Sequence, residues 1–274
     1  MEEANPQTSP QSKSYDKYAD IPTEVIDLPS KGLVYPSDNP LSKGRISIKY
    51  MTAKEEDILA SQNLVKKGIV LHKLFESVVV EPDVSIEDII IGDKTAILLA
   101  TRMLGYGKNY ETEVTDPATF EKQPVTIDLS KIGVKDIDES VLRRDNIYDF
   151  TLPTSGKKIH FKLLTHGDEL QIEQEVKAME RLSGNNQTKS SRSGKDVTTR
   201  LRKMIVSIDG EEDKGKIAQY VNNNLLAIDS KALRDHVKDI SPDMDLTFEF
   251  TSNVTGETEV LSIPFGINFF YPSA

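Results

Sequence analysis

The stretch AILLATRMLGYGKNYETEVTDPATF, residues 96–120, changes period in its middle. In the first half Ala96, Leu99, Ala100, Met103 and Leu104 recur at i, i+3, i+4, i+7 and i+8, the spacing of one helix face. Gly105-Tyr106-Gly107 closes that helix. In the second half Tyr110–Thr115 reads as a strand. Val125–Leu129 answers it beyond the turn Asp116-Pro117-Ala118-Thr119-Phe120. A helix that feeds an antiparallel hairpin belongs to an α+β fold. Strict strand–helix–strand alternation, which a doubly wound parallel sheet requires, is absent.

Reading outward toward the C-terminus, residues 147–152 and 157–164 form a second hairpin around Pro153-Thr154-Ser155-Gly156. Gly167-Asp168 starts a helix with Ile172, Val176 and Met179 on one side. The polar run from Ser183 to Lys195 then reads as a mobile loop. Helical patterns follow over 196–208, 213–226 and 229–239, the last capped by Asp229. A third hairpin spans 245–251 and 257–263 around Asn253-Val254-Thr255-Gly256.

Toward the N-terminus, Asp93 caps the central helix and Ser85-Ile86-Glu87-Asp88 starts a short one. A longer helix covers Leu64–Val80, and Thr52-Ala53-Lys54-Glu55 forms a capping box. Residues 45–50 alternate as a strand. Pro22, Pro29, Pro36 and Pro40 make 21–45 an extended arm, neither helix nor central strand. Residues 1–20 are too polar to offset their ordering entropy and read as a disordered tail.

The expected architecture is therefore α+β: a helical core with antiparallel β-hairpins and an extended N-terminal arm. Its parts are the tail 1–20, the arm and first strand 21–50, a helical region 51–108 and a β-hairpin region 109–165. A second helical region, 166–240, holds the mobile loop 183–196. A C-terminal hairpin and aromatic tail, 241–274, complete the chain. No fixed-period repeat is present.

Composition narrows the chemistry. The 34 Lys and Arg against 44 Asp and Glu give a net charge of −10, which argues against a phosphate-tracking, nucleic-acid-binding face. No apolar run approaches the roughly 20 residues of a membrane span, and the polar, acidic N-terminus is not a secretory signal. The absence of cysteine removes disulfides, thiolate metal sites and cysteine nucleophiles. His72, His160, His166 and His236 show no metal-ligand spacing, and no nucleophile elbow, zinc-protease or Walker sequence occurs. Neither metal nor cofactor is expected. Glu55-Glu56-Asp57 and Glu87-Asp88 with Asp93 read as helix-capping carboxylates rather than as a catalytic cluster. Lys189, Arg192 and Lys195 read as a solvated loop without a stacking platform.

Several segments, in order, carry a family resemblance. They are Leu28-Pro29-Ser30-Lys31-Gly32-Leu33-Val34-Tyr35-Pro36, then Met51–Leu59, Gly92-Asp93-Lys94 and Arg102–Gly107 with Tyr110. Asp229–Arg234, Ser241–Asp245 and Ile263–Pro272 follow. Residues 26–272 so resemble the T4-like bacteriophage baseplate hub and hub-assembly proteins. The resemblance implies a non-enzymatic component of a contractile-tail phage baseplate hub. It would be assembled in the host cytoplasm and placed in the virion, with other hub or tail proteins as partners and self-association left open. The alternative is a transient assembly chaperone absent from the mature virion. Some similar proteins carry cysteine pairs at the turns that here hold Asp116-Pro117 and Asn253, which would imply a small zinc ribbon. This chain has none, so turn chemistry and packing must hold those hairpins.

On this reading the contacts come from the two apolar ends of the chain. Leu28, Leu33, Val34 and Tyr35 of the arm are candidate interface residues, and so are Phe265, Phe269, Phe270 and Tyr271 near the C-terminus. Burial of the terminal aromatics on their own body is the competing reading. Removing residues 1–45 is expected to abolish incorporation and leave a folded core.

Overall fold

The computed structural model describes residues 21–182 and 189–270. Residues 1–20, 183–188 and 271–274, Tyr271 among them, lie outside the described residues, so the expected disordered tail and that part of the expected mobile loop do too.

The fold is α+β, as expected. It opens with β1 (Thr23–Asp27), paired antiparallel with β2 (Arg45–Lys49) in a register that sets Val25 opposite Ser47. The proline-rich segment therefore contains a strand, which lies between Pro22 and Pro29 and holds no proline itself. Residues 28–44 close into a loop whose ends meet through the Leu28 N–H and the Gly44 carbonyl, 2.8 Å apart.

The helices α1 (Ala53–Ala60), α2 (Gln62–Lys67) and α3 (Val70–Val78) follow. The expected single helix over 64–80 is thus broken in two. Gly68 sits at φ +68°, a left-handed C-cap whose N–H returns to the Leu64 and Val65 carbonyls. Residues 86–88 form one 3₁₀ turn rather than an α-helix.

The central helix α4 runs from Ile91 to Tyr106 and buries ten residues, from Gly92 to Arg102. Ile97 and Leu98 are as buried as Leu99, so core surrounds the helix on more than the one stripe that spacing indicates. Its start is fixed by contact with the chain just beyond the second helical region. A Cβ on Gly92 would lie 1.8 Å from the Pro242 carbonyl oxygen.

The hairpin of β3 (Asn109–Thr115) and β4 (Lys122–Asp128) follows α4. Next come β5 (Tyr148–Thr151) and β6 (Lys158–Phe161), which join β7 (Ile205–Ile208) in a three-stranded antiparallel sheet of order β5-β6-β7. Before β7 lie α5 (His166–Leu182) and α6 (Lys189–Met204). Two expectations are corrected here. The polar run is helical from Lys189 onward. The pattern over 196–208 is a helix only to Met204, after which Ile205–Ile208 adds to β6 as a strand.

The chain then forms α7 (Lys214–Asn223), α8 (Ala227–Ile240) and the hairpin of β8 (Thr247–Thr251) and β9 (Thr258–Ser262). A 3₁₀ turn, Ile267–Phe270, ends the described chain. One hydrophobic core joins these parts, from Leu28 and Tyr35 through Leu74, Ile97, Phe161 and Leu233 to Phe269 and Phe270.

Candidate functional site

The central helix holds both apolar ends of the described chain, one at each of its own ends. Near its start, Asp93 is fully buried and accepts three hydrogen bonds from the arm. The Ser30 N–H donates at 2.9 Å, the Ser30 hydroxyl at 2.6 Å and the Tyr35 hydroxyl at 2.6 Å. The Tyr35 hydroxyl in turn accepts from the Ile90 N–H at 3.1 Å. Asp93 is thus not an N-cap but the anchor of a buried clasp. Burial pushes its carboxyl up to about 6, against the pull of the Ser30 and Tyr35 donors.

Near the other end, Arg102 is 3% exposed and faces no carboxylate among the described residues. Its Nε donates to the Phe269 carbonyl at 3.0 Å and an Nη to the Gly107 carbonyl at 3.2 Å. The guanidinium lies over the Tyr106 ring, 5.0 Å from its centroid. Phe269 meets Tyr110 and Phe270 edge-on.

These clasps place the candidate interface residues. Leu28, Val34, Tyr35, Phe269 and Phe270 are buried in the chain's own core, and Leu33 and Phe265 are half-buried. Tyr271 lies outside the described residues. The five buried side chains face their own body, so in this conformation they present no docking surface. The arm is correspondingly part of the core, and removing 1–45 strips Leu28, Val34, Tyr35 and Leu41 from it.

The carboxylates singled out in sequence do not converge. Glu55 accepts from the Thr52 N–H and hydroxyl, both at 2.8 Å, completing the expected N-terminal cap. It also accepts from the Ser77 hydroxyl at 2.6 Å and pairs with Lys49 at 2.8 Å, both partners buried. Burial opposes its charge, yet the Lys49, Ser77 and Thr52 donors hold it down at about 2. Glu87 accepts from the Ser85 hydroxyl at 3.1 Å, apart from both buried carboxylates. Asp229 is not an N-cap either. It lies inside α8 and accepts from the Thr154 and Ser155 N–H groups at 2.8 and 3.0 Å, fixing the β5–β6 turn.

The histidines are equally dispersed. His160 meets Ser207 and Asp149, and His236 stacks on Phe150. His72 and His166 share a 2.8 Å hydrogen bond, and burial pushes the His166 imidazole down to about 3. Among the described residues no group of three or more His, Asp or Glu is placed to hold a metal. No described helix is long and apolar enough to cross a membrane.

Sequence reasoning missed a third cluster, which joins two hairpin turns. Asp116 Oδ2 accepts from the Ser252 hydroxyl at 2.6 Å and from Gln123 Nε2 at 2.7 Å. Gln123 Oε1 accepts from the Asn253 N–H at 3.1 Å. All three side chains are buried. The Ser252 hydroxyl, against burial and with the Ala118 N–H, holds the Asp116 carboxyl below its ordinary range. A polar brace thus occupies the place where the family resemblance would put cysteine pairs.

The described architecture is that of a protein whose buried polar groups fasten its own segments together. A family model described as T4 bacteriophage base plate protein matches residues 24–271, most of the chain. The chain belongs to that family and is a phage baseplate protein, with its place in the virion baseplate. Searches of curated proteins and of solved structures returned no match.

Proposed function

We propose that this chain is a non-enzymatic structural component of the hub of a contractile-tail phage baseplate, acting through contacts with other hub or tail proteins. The family match over residues 24–271 carries the reading. The structure is consistent with it: the buried titratable groups of both clasps and of the brace are consumed by structural hydrogen bonds. The five buried candidate residues hold the two end segments in place. Leu33 and Phe265, which keep part of their surface outside the core, are the members of that set retained as contact residues. Deleting the gene from the phage that encodes it and imaging the lysate tests this reading. The expected result is tails without complete baseplates. Normal baseplates and normal yield would refute it.

A further inference from the structure

Three hairpins in this chain share one loop. In each, six residues separate the strands: 116–121, 152–157 and 252–257. In each, the first loop N–H donates to the sixth carbonyl, as from Asp116 to Glu121, Leu152 to Lys157 and Ser252 to Glu257. The fifth N–H donates back to the first carbonyl, from Phe120 to Asp116, Gly156 to Leu152 and Gly256 to Ser252. The fifth residue is left-handed every time, with φ +60° at Phe120, +68° at Gly156 and +73° at Gly256. Two loops fill that position with glycine, which has no Cβ to clash. The third fills it with phenylalanine.

Phe120 gains nothing inside the fold in return. It is 82% exposed, the most exposed large apolar residue described. Of the five non-glycine residues at positive φ among the described residues, it is the only apolar one. A bulky residue at positive φ is a genuine outlier, and such outliers concentrate where a surface binds. The turn that carries it is also fixed. The brace of Asp116, Gln123 and Ser252 ties it to the β8–β9 turn, whose Val254 is 66% exposed. A rigid, exposed aromatic loses little freedom on docking, and aromatics dominate binding hot spots.

The surroundings define the partner. Glu111, Glu113, Glu121, Glu257 and Glu259 are exposed on the two hairpins. Their one lysine, Lys122, is paired with Glu113. A second copy of the chain would bring acid against acid, whereas a pocket rimmed by Lys and Arg would be attracted.

We propose that Phe120, held out on the two braced turns, is the anchor by which this chain docks into an apolar, basic-rimmed pocket of a different baseplate protein. The inference rests on the baseplate reading and adds the contact residue and the character of its partner. The test uses the full chain in its phage, with a photo-crosslinking phenylalanine analogue at position 120 and, separately, Phe120→Gly. Illumination of assembling particles is expected to join this chain to one other phage protein at a site flanked by Lys or Arg. Phe120→Gly is expected to melt at or above the wild-type temperature while infectious yield falls by about tenfold or more. A crosslink only to another copy, or none, would overturn the proposal, and so would wild-type yield from a well-folded glycine variant. If the glycine variant melts lower, the crosslink decides alone. The gene deletion separates the two readings. If deletion spoils baseplates and Phe120→Gly does not, only the anchor fails. If deletion spoils nothing, both fail.

Discussion

Two buried carboxylates give this molecule opposite responses to acid. Glu55 is held at about 2 in the fold against an ordinary 4.5. Its contribution is complete above pH 4.5 and is lost as pH falls toward 2, about 3 kcal/mol by linkage. Asp93 is raised to about 6 from 3.8. The folded state keeps a proton that the unfolded chain has lost between those values, so this group's contribution declines as pH rises from 3.8 through 6, again by about 3 kcal/mol. Asp93→Asn mimics the protonated carboxyl. Its stability relative to wild type should therefore rise between pH 4 and 7 in paired thermal melts, and a pH-independent difference would contradict the assignment. Asp93→Ala should cost about 2–4 kcal/mol near pH 4, because it strands the buried Ser30 and Tyr35 hydroxyls, and the cost should shrink as pH rises through 6. Arg102→Ala should cost about 3 kcal/mol in urea unfolding, because it leaves the Phe269 and Gly107 carbonyls without their charged donor.

Elements depend on contacts that periodicity does not report. Gly92→Ala illustrates this. A helix-favouring change inside α4 should destabilise the protein by about 1–3 kcal/mol, since the new methyl meets the Pro242 carbonyl. An unchanged melting temperature would show that the 241–244 segment yields freely. At the paired hairpins, Asp116→Ala and Ser252→Ala should be non-additive in a double-mutant cycle, because each removes the same 2.6 Å hydrogen bond. Additive effects would mean that the turns fold independently. The same distinction explains what could be read from sequence. The three hairpins were legible because alternation and turn residues are local signals. The strand β7 was not, because Ile205-Val206-Ser207-Ile208 continues a helical apolar pattern and becomes a strand only through β6, over 40 residues earlier. Asp93 looked like a cap because capping is the local use of such a residue; its partners Ser30 and Tyr35 lie 63 and 58 positions away. Nothing local to Arg102 pointed to its clasp on the C-terminal turn, since the Phe269 carbonyl that it binds is 167 positions distant. Comparing the three loops, Thr-Asp-Pro-Ala-Thr-Phe, Thr-Leu-Pro-Thr-Ser-Gly and Thr-Ser-Asn-Val-Thr-Gly, would have exposed the unusual place of Phe120.

At the scale of the whole molecule, both apolar segments near the chain ends are built into one core through a single helix. A free arm and a free aromatic tail would make assembly a coupled folding event. Here the arm loop and the terminal turn are already ordered on their own body, which leaves protruding features such as the Phe120 turn to meet neighbours as preformed surfaces. Removing residues 1–45 should therefore abolish the cooperative unfolding transition. A truncated chain with a sharp melt would show that the arm is dispensable to the core. The central claim, that this chain is a resident part of the baseplate, is tested most directly by quantitative mass spectrometry of purified phage particles. The account predicts a fixed whole-number copy count per particle, in proportion to other baseplate proteins. Its absence from finished particles, with abundance only in infected cells, would contradict residence and make it a transient assembly chaperone.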